Sequence, residues 1–150
     1  MDVILIINED MENRLIRKSL EQNKLCFKAL GSSMFPFVRN GDMVTIKKVK
    51  SDTLLVGEIV FYEKDGSFCL HRFLKRNSKN EIITKGDNQP ILDTPISSED
   101  VLGKLIIIKR DNQVITLDSR LNKIMGRLIA VFYPLTYPVT RLLIKSYQLI

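Results

Sequence analysis

From residue 24 to residue 117 the chain is cut into short β-rich runs by turn-forming residues, and this rhythm limits the available folds more than any other feature. The runs cover 24–30, 43–49, 58–63, 68–75, 81–84, 102–110 and 113–117. Between them stand Asn40-Gly41-Asp42, Lys64-Asp65-Gly66, Asn77-Ser78-Lys79-Asn80 and Arg110-Asp111-Asn112. Gly tolerates positive φ, and Asn and Asp bond their own backbone, so such clusters reverse the chain. In the first run Leu25, Phe27 and Ala29 alternate with Cys26 and Lys28, the period of a strand with one buried face. Many short strands so spaced predict a mainly β, α+β domain built on a compact, mostly antiparallel sheet or barrel. No internal repeat or linker is evident.

The period changes at both ends. Asn8 reads as an N-cap, with Glu9, Asp10 and Glu12 in the first turn, where carboxylates complement the helix dipole. Met11, Leu15, Ile16 and Leu20 follow at helical spacing, which predicts a helix over 9–23. At the other end Leu121, Ile124, Met125, Leu128, Ile129 and Phe132 fall on one helical face, with Lys123 and Arg127 off it. Pro134 and Pro138 are expected to interrupt this helix, after which Val139, Leu142, Leu143 and Tyr147 resume the pattern. The chain thus divides into a domain at 1–118 and a basic amphipathic helical tail at 119–150. Three readings fit the tail: a helical hairpin packed on the domain, an anchor on an anionic membrane surface, or a docking element for a membrane partner.

A length of 150 residues suffices for one domain with its own core. The 45% hydrophobic and 27% charged content excludes the disordered and low-complexity classes. Cys26 and Cys69 are too few for a disulfide scaffold. No apolar run approaches the roughly 18–20 residues that span a bilayer. The apolar run at 3–7 is flanked by acids, whereas a secretory signal opens basic and runs longer. The expected location is therefore cytoplasmic, or peripheral on a membrane.

The net charge of +6 is unevenly placed. Residues 1–118 hold 18 basic and 17 acidic side chains, whereas 119–150 hold Arg120, Lys123, Arg127, Arg141 and Lys145 and no acid. Nucleic-acid binding calls for basic residues interleaved with aromatics, or a zinc or helix-turn-helix pattern. The sequence has neither, and nucleic acid is not an expected partner.

Residues able to do chemistry are few. His71 is the only histidine, which argues against a zinc site, and no cofactor is expected. Cys69 lies two residues from His71 and would share its strand face, but it is the weaker candidate nucleophile. Gly31-Ser32-Ser33-Met34-Phe35-Pro36 is the stronger one. It follows a strand and joins a small-residue turn to an apolar anchor and a stiffening proline. Such a turn presents a hydroxyl with its own N–H free to face an oxyanion. A third element, from Thr84 through Lys85-Gly86-Asp87-Asn88 to Asp93, supplies two acids. Alone, it reads equally well as a turn that bonds its own backbone.

Taken in order, Gly31-Ser32-Ser33-Met34-Phe35-Pro36, Asn40-Gly41-Asp42-Met43-Val44, Gly57-Glu58-Ile59-Val60, His71-Arg72 and Lys85-Gly86-Asp87-Asn88 resemble the S24/S26 clan of serine peptidases. Within that clan they look most like the signal peptidase I family, over about 25–110. Ser33-Met34-x-Pro36 matches its nucleophile box. Most bacterial members have lysine at the base position. His71-Arg72 instead resembles the endoplasmic-reticulum-type branch, shared by archaea and some Gram-positive bacteria.

The resemblance implies a barrel-like core and a serine endopeptidase that removes a signal or leader segment through an acyl-enzyme at Ser33. His71 would be the general base and Asp93 the orienting acid, with Asp87 as the backup. The partner would be a peptide or preprotein bound as an added β-strand, with small residues before the cut; Met34 and Phe35 read equally as groove walls or as core. Two departures stand out. Gly31 occupies a position where the family often has a serine or threonine that assists the oxyanion. An amphipathic helix is predicted where family members usually carry a transmembrane one, as in short relatives from bacterial peptide-maturation systems. One rival is a catalytically inactive peptide-binding or membrane-tethering module of the same fold. The other is a LexA-like self-cleaving regulator, which uses a Ser–Lys dyad. Retention of Ser33, His71 and Asp93 argues against the first, and histidine at the base position against the second.

Overall fold

The computed structural model describes residues 9–148; the cap expected at Asn8 lies outside them. Helix α1 (Glu9–Glu21) turns Ile16 and Leu20, an i,i+4 pair, into the core. Leu15, one position round the helix from Ile16, points outward and is exposed. Arg17 Nη2 donates to Glu63 Oε2 at 2.6 Å and ties the helix to the sheet.

The described strands are β1 (Lys24–Lys28), β2 (Met43–Lys47), β3 (Ile59–Lys64), β4 (Ser67–Arg76), β5 (Ile82–Lys85), β6 (Val101–Arg110) and β7 (Gln113–Thr116). They form one antiparallel sheet in the order β1-β2-β6-β3-β4-β5, with β7 also on β6. The sheet is open: β1 and β5 are its outer strands, so the barrel expectation is corrected to an unclosed sheet. Loop hydrogen bonds join the two ends instead. Asn88 N–H donates to the Ser33 carbonyl at 2.8 Å, and Asn88 Nδ2 to the Ser32 carbonyl at 3.2 Å. The turn after β1 and the loop after β5 thereby meet, and the candidate residues lie at that meeting.

Alternation along β3 and β4 divides the interior in two. Ile59, Phe61, Phe68 and Leu70 enter the larger core with Ile16, Leu20 and Met34, whereas Val60, Tyr62 and Phe73 enter a smaller one with Leu54, Ile82 and Ile96. Residues 70–74 of β4 are buried on both faces. His71 and Arg72, adjacent and pointing to opposite faces, are therefore both shielded from water. No disulfide joins Cys26 and Cys69.

Helices α2 (Arg120–Val131) and α3 (Tyr133–Gln148) follow β7. Ser119 Oγ caps α2 by accepting the Asn122 N–H at 3.3 Å. The two helices meet at 102°, a bend rather than an antiparallel hairpin. The break falls at Phe132 and not at the prolines. Pro134 sits in the first turn of α3, where its missing N–H is not needed, and Pro138 lies inside the helix. Gly126 brings α2 close to the domain: a Cβ there would stand 2.7 Å from the Gly57 carbonyl oxygen, and one on Gly57, whose φ is +96°, would stand 2.4 Å from Arg127 N. Only glycine permits that approach. Beside this contact a cavity of about 340 Å³ separates α2 from the sheet, lined by Phe37, Leu105, Ile108, Ile115, Met125 and Ile129.

Candidate active site

The turn after β1 carries Ser33 inward. Ala29 and Asp42 pin its base, with Ala29 N–H donating to the Asp42 carbonyl and Gly41 N–H to that of Ala29, each at 2.8 Å. Asp42, from the Asn-Gly-Asp turn, fastens the same loop to β6. Its Oδ1 and Oδ2 accept Arg110 Nε and Nη2 at 2.9 and 2.7 Å, and Oδ2 also accepts Arg39 N–H at 2.7 Å. Burial works against ionisation of Asp42, but these donors and the two positive charges outweigh it and hold the carboxyl below its ordinary range. Gly31 has a φ of +91°, a backbone shape that favours glycine over any residue with a side chain.

Ser33 Oγ lies 3.2 Å from His71 Nε2, and His71 Nδ1 lies 2.7 Å from Asp93 Oδ2. Both ring nitrogens are thus engaged: Nδ1–H faces the carboxylate, and when Nε2 carries no proton it accepts from the serine hydroxyl. Ser33 and His71 are each 4% exposed, so their interaction is sheltered from bulk water. Asp93 reaches the ring because the loop after β5 folds back, its N–H donating to the Thr84 carbonyl at 3.0 Å. Burial raises the tendency of Asp93 to stay protonated. The His71 hydrogen bond and charge, with hydroxyl bonds from Thr84 and Tyr62, overcome it and leave the carboxyl below its usual value. Thr84 Oγ1 donates to Asp93 Oδ2 at 2.7 Å and Tyr62 OH at 3.5 Å. Burial, then the Asp93 charge, push the Tyr62 phenol well above its normal range, so it stays a neutral donor.

Asp87 is placed elsewhere. Its two oxygens take Arg72 Nε at 2.8 Å and Nη2 at 2.5 Å, while Arg72 Nη1 donates to the Gly57 carbonyl at 2.7 Å and the guanidinium lies over the Phe37 ring. The structure brings together Ser33, His71 and Asp93; Asp87 belongs to a buried ion pair on the opposite face of β4. Of the two readings of Met34, wall or core, the structure shows core: it is 2% exposed and sits in the larger cluster, where it offers a substrate no surface. Phe35 is half-buried, with Arg39 over its ring. Lys85 is buried, and its ammonium donates to the Gly86 carbonyl and Thr136 Oγ1 at 3.2 and 3.0 Å. Burial depresses its basicity, a trend only partly countered by Asp87 and Asp93.

Sequence reasoning missed Tyr62, Thr84 and the two threonines of α3. Tyr62 had a signal: it stands two residues beyond Val60, which pairs with His71, so it projects on the histidine's face. Thr136 and Thr140 had none, because only the fold brings α3 to the loop after β5. Thr140 Oγ1 lies 3.0 Å from Asn88 Oδ1, so α3 holds the residue that holds the Ser33 turn.

A family model described as Peptidase S24-like matches residues 5–106, more than half of the chain. It covers Ser33, His71 and Asp93 together and supports the clan to which the motifs point. No curated protein matches the chain.

Proposed function

The chain belongs to the Peptidase S24-like family, and we propose that it is a serine endopeptidase of the signal-peptidase type, with Ser33 as nucleophile, His71 as general base and Asp93 as orienting acid. The observation that carries this reading is the unbroken hydrogen-bonded line from Ser33 Oγ through the imidazole to Asp93.

A serine hydroxyl is a weak nucleophile until a base takes its proton. His71 Nε2 accepts the proton as Oγ attacks the scissile carbonyl, and Asp93 stabilises the imidazolium so formed while fixing the ring. Collapse of the tetrahedral intermediate passes the proton to the leaving amine and leaves an ester on Ser33. Water, deprotonated by the same nitrogen, then releases the acid. The Ser33 backbone N–H is the natural first oxyanion donor, a contribution of ~3–4 kcal/mol in comparable sites. Histidine at the base position favours the histidine branch of the clan.

The sheet topology suits an extended substrate. β1, which leads into the Ser33 turn, is an edge strand, and β5 borders β4 only from Arg72 onward. A peptide laid beside these backbones would gain main-chain hydrogen bonds and present its carbonyl to Ser33. A signal or leader segment, extended and with small residues before the cut, fits this requirement.

The test is cleavage of a mixed peptide library by the wild type and by Ser33→Ala, read by mass spectrometry. The wild type is expected to yield defined products and Ser33→Ala none, with equal melting temperatures. Cleavage by Ser33→Ala at the wild-type rate would sink the serine mechanism.

A further inference from the structure

We propose that α2 and α3 form a platform by which the protein lies on an anionic phospholipid bilayer. The two helices are turned inside out relative to helices packed on a soluble domain. On α2, small Gly126 and Ala130 face the domain, whereas Leu121, Ile124, Leu128 and Val131 are exposed, Leu121 to 79%. On α3, polar Thr136 and Thr140 point inward to Lys85 and Asn88, whereas Leu135, Val139 and Leu142 face outward, Leu142 to 69%. A hydrophobic stripe kept outside while hydroxyls are turned inside calls for an apolar environment beyond the protein.

Charge selects which environment. Arg120, Lys123 and Arg127 are exposed on the flank of the α2 stripe, Arg141 and Lys145 are exposed on α3, and no acid occurs in 119–150. Basic side chains bordering an apolar stripe suit the headgroup region of an anionic leaflet. The helices do not suit a span. Among the described residues no single helix is long and apolar enough to cross a membrane, and the pair that is long enough bends by 102°. Two bent helices with cations along their flank lie in the interface plane. The inward face of α3 holds the loop that holds Ser33, so the nucleophile turn would sit about one helix diameter, ~10 Å, from the lipid surface.

This inference does not depend on the serine chemistry, and its test is run on the Ser33→Ala chain. Binding is measured by flotation with phosphatidylcholine vesicles, with and without phosphatidylglycerol, at physiological and high salt. The expected result is binding to the phosphatidylglycerol vesicles that weakens as salt rises. Arg120→Gln, Lys123→Gln and Arg127→Gln together should weaken it by about fivefold for each cation removed. Leu121→Ser and Leu128→Ser should weaken it by about tenfold each. All these side chains are exposed, and the one ion pair they include, Lys123 with Asp118 at 3.4 Å, is at the surface and worth little, so the variants should stay close to the wild-type melting temperature. Absence of flotation, or equal binding to both vesicle types, would overturn the proposal. So would a concentration-dependent dimer that Leu121→Ser and Leu128→Ser dissolve, since a second copy would then cover the face.

Discussion

Asp93 Oδ2 lies 2.7 Å from Nδ1 of His71, while Asp87, six residues earlier, has both oxygens on Arg72. Two carboxylates from one loop thus have separate work, and their removal should produce different defects. Asp93→Asn should leave the fold intact and lower kcat by about 10²–10⁴-fold, because the imidazole loses its fixed tautomer. Asp87→Asn should leave Arg72 charged and under-compensated in the interior, a destabilisation of ~3–5 kcal/mol. Steady-state kinetics and thermal unfolding on both variants separate the roles. A stable, inactive Asp87→Asn beside an active Asp93→Asn would reverse the assignment.

The base is tested by comparing His71→Ala with Lys85→Met. Lys85 is buried near the site and its basicity is depressed, the properties of a lysine base. Its ammonium, however, is bonded to the Gly86 carbonyl and Thr136, whereas the Ser33 hydroxyl is bonded to His71. His71→Ala should therefore lose about 10³-fold or more in kcat/KM, as loss of a general base does. Lys85→Met should lose far less. A larger loss from Lys85→Met than from His71→Ala would make lysine the base.

Stability should fall in acid by way of Asp42. Its folded pKa lies below the ordinary value. The stabilisation from its ionised form is therefore complete above about pH 3.9, the unfolded value, and is lost as pH drops through the lower folded one. Asp42→Asn removes that contribution, with charged hydrogen bonds of this kind worth ~1.5–3 kcal/mol each. Near neutral pH the variant should melt below the wild type, and the gap should narrow in strong acid. Circular dichroism melts across that range read it directly; a gap that stays constant would dissociate Asp42 from the acid response.

How far the sequence discloses this protein depends on how local the cause is. Alternation and turn residues locate the strands because each is a short-range effect: Asp65-Gly66 and Asp111 take the positive φ that tight hairpins need. Ser33 and His71 are readable because one lies in an unusual turn and the other is the only histidine. The choice between Asp87 and Asp93 is not local, since it turns on which face of β4 each acid meets. Sheet closure is likewise a long-range matter, decided by two outer strands that never pair. The tail leaves its readings open for a physical reason. Its apolar periodicity is genuine, but periodicity reports that a helix has two faces, not which one meets the domain. Gly126 and Ala130 decide that, because only small side chains let α2 approach Gly57.

That approach gives the last prediction. In Gly126→Ala, two effects oppose each other. Alanine favours helix over glycine by ~1 kcal/mol. Its Cβ would also press to 2.7 Å from the Gly57 carbonyl oxygen and 3.3 Å from Arg72 Nη1, a backbone contact that cannot rotate away. Overpacking of this kind costs about 1–3 kcal/mol, so the clash should win. The Gly57 carbonyl is also the acceptor of Arg72, so lifting α2 should loosen the buried pair with Asp87. The expected outcome is a lower melting temperature and faster amide hydrogen exchange in α2 and in the turn at Gly57. A Gly126→Ala protein more stable than the wild type, with unchanged exchange, would mean that α2 is not seated on Gly57 in solution.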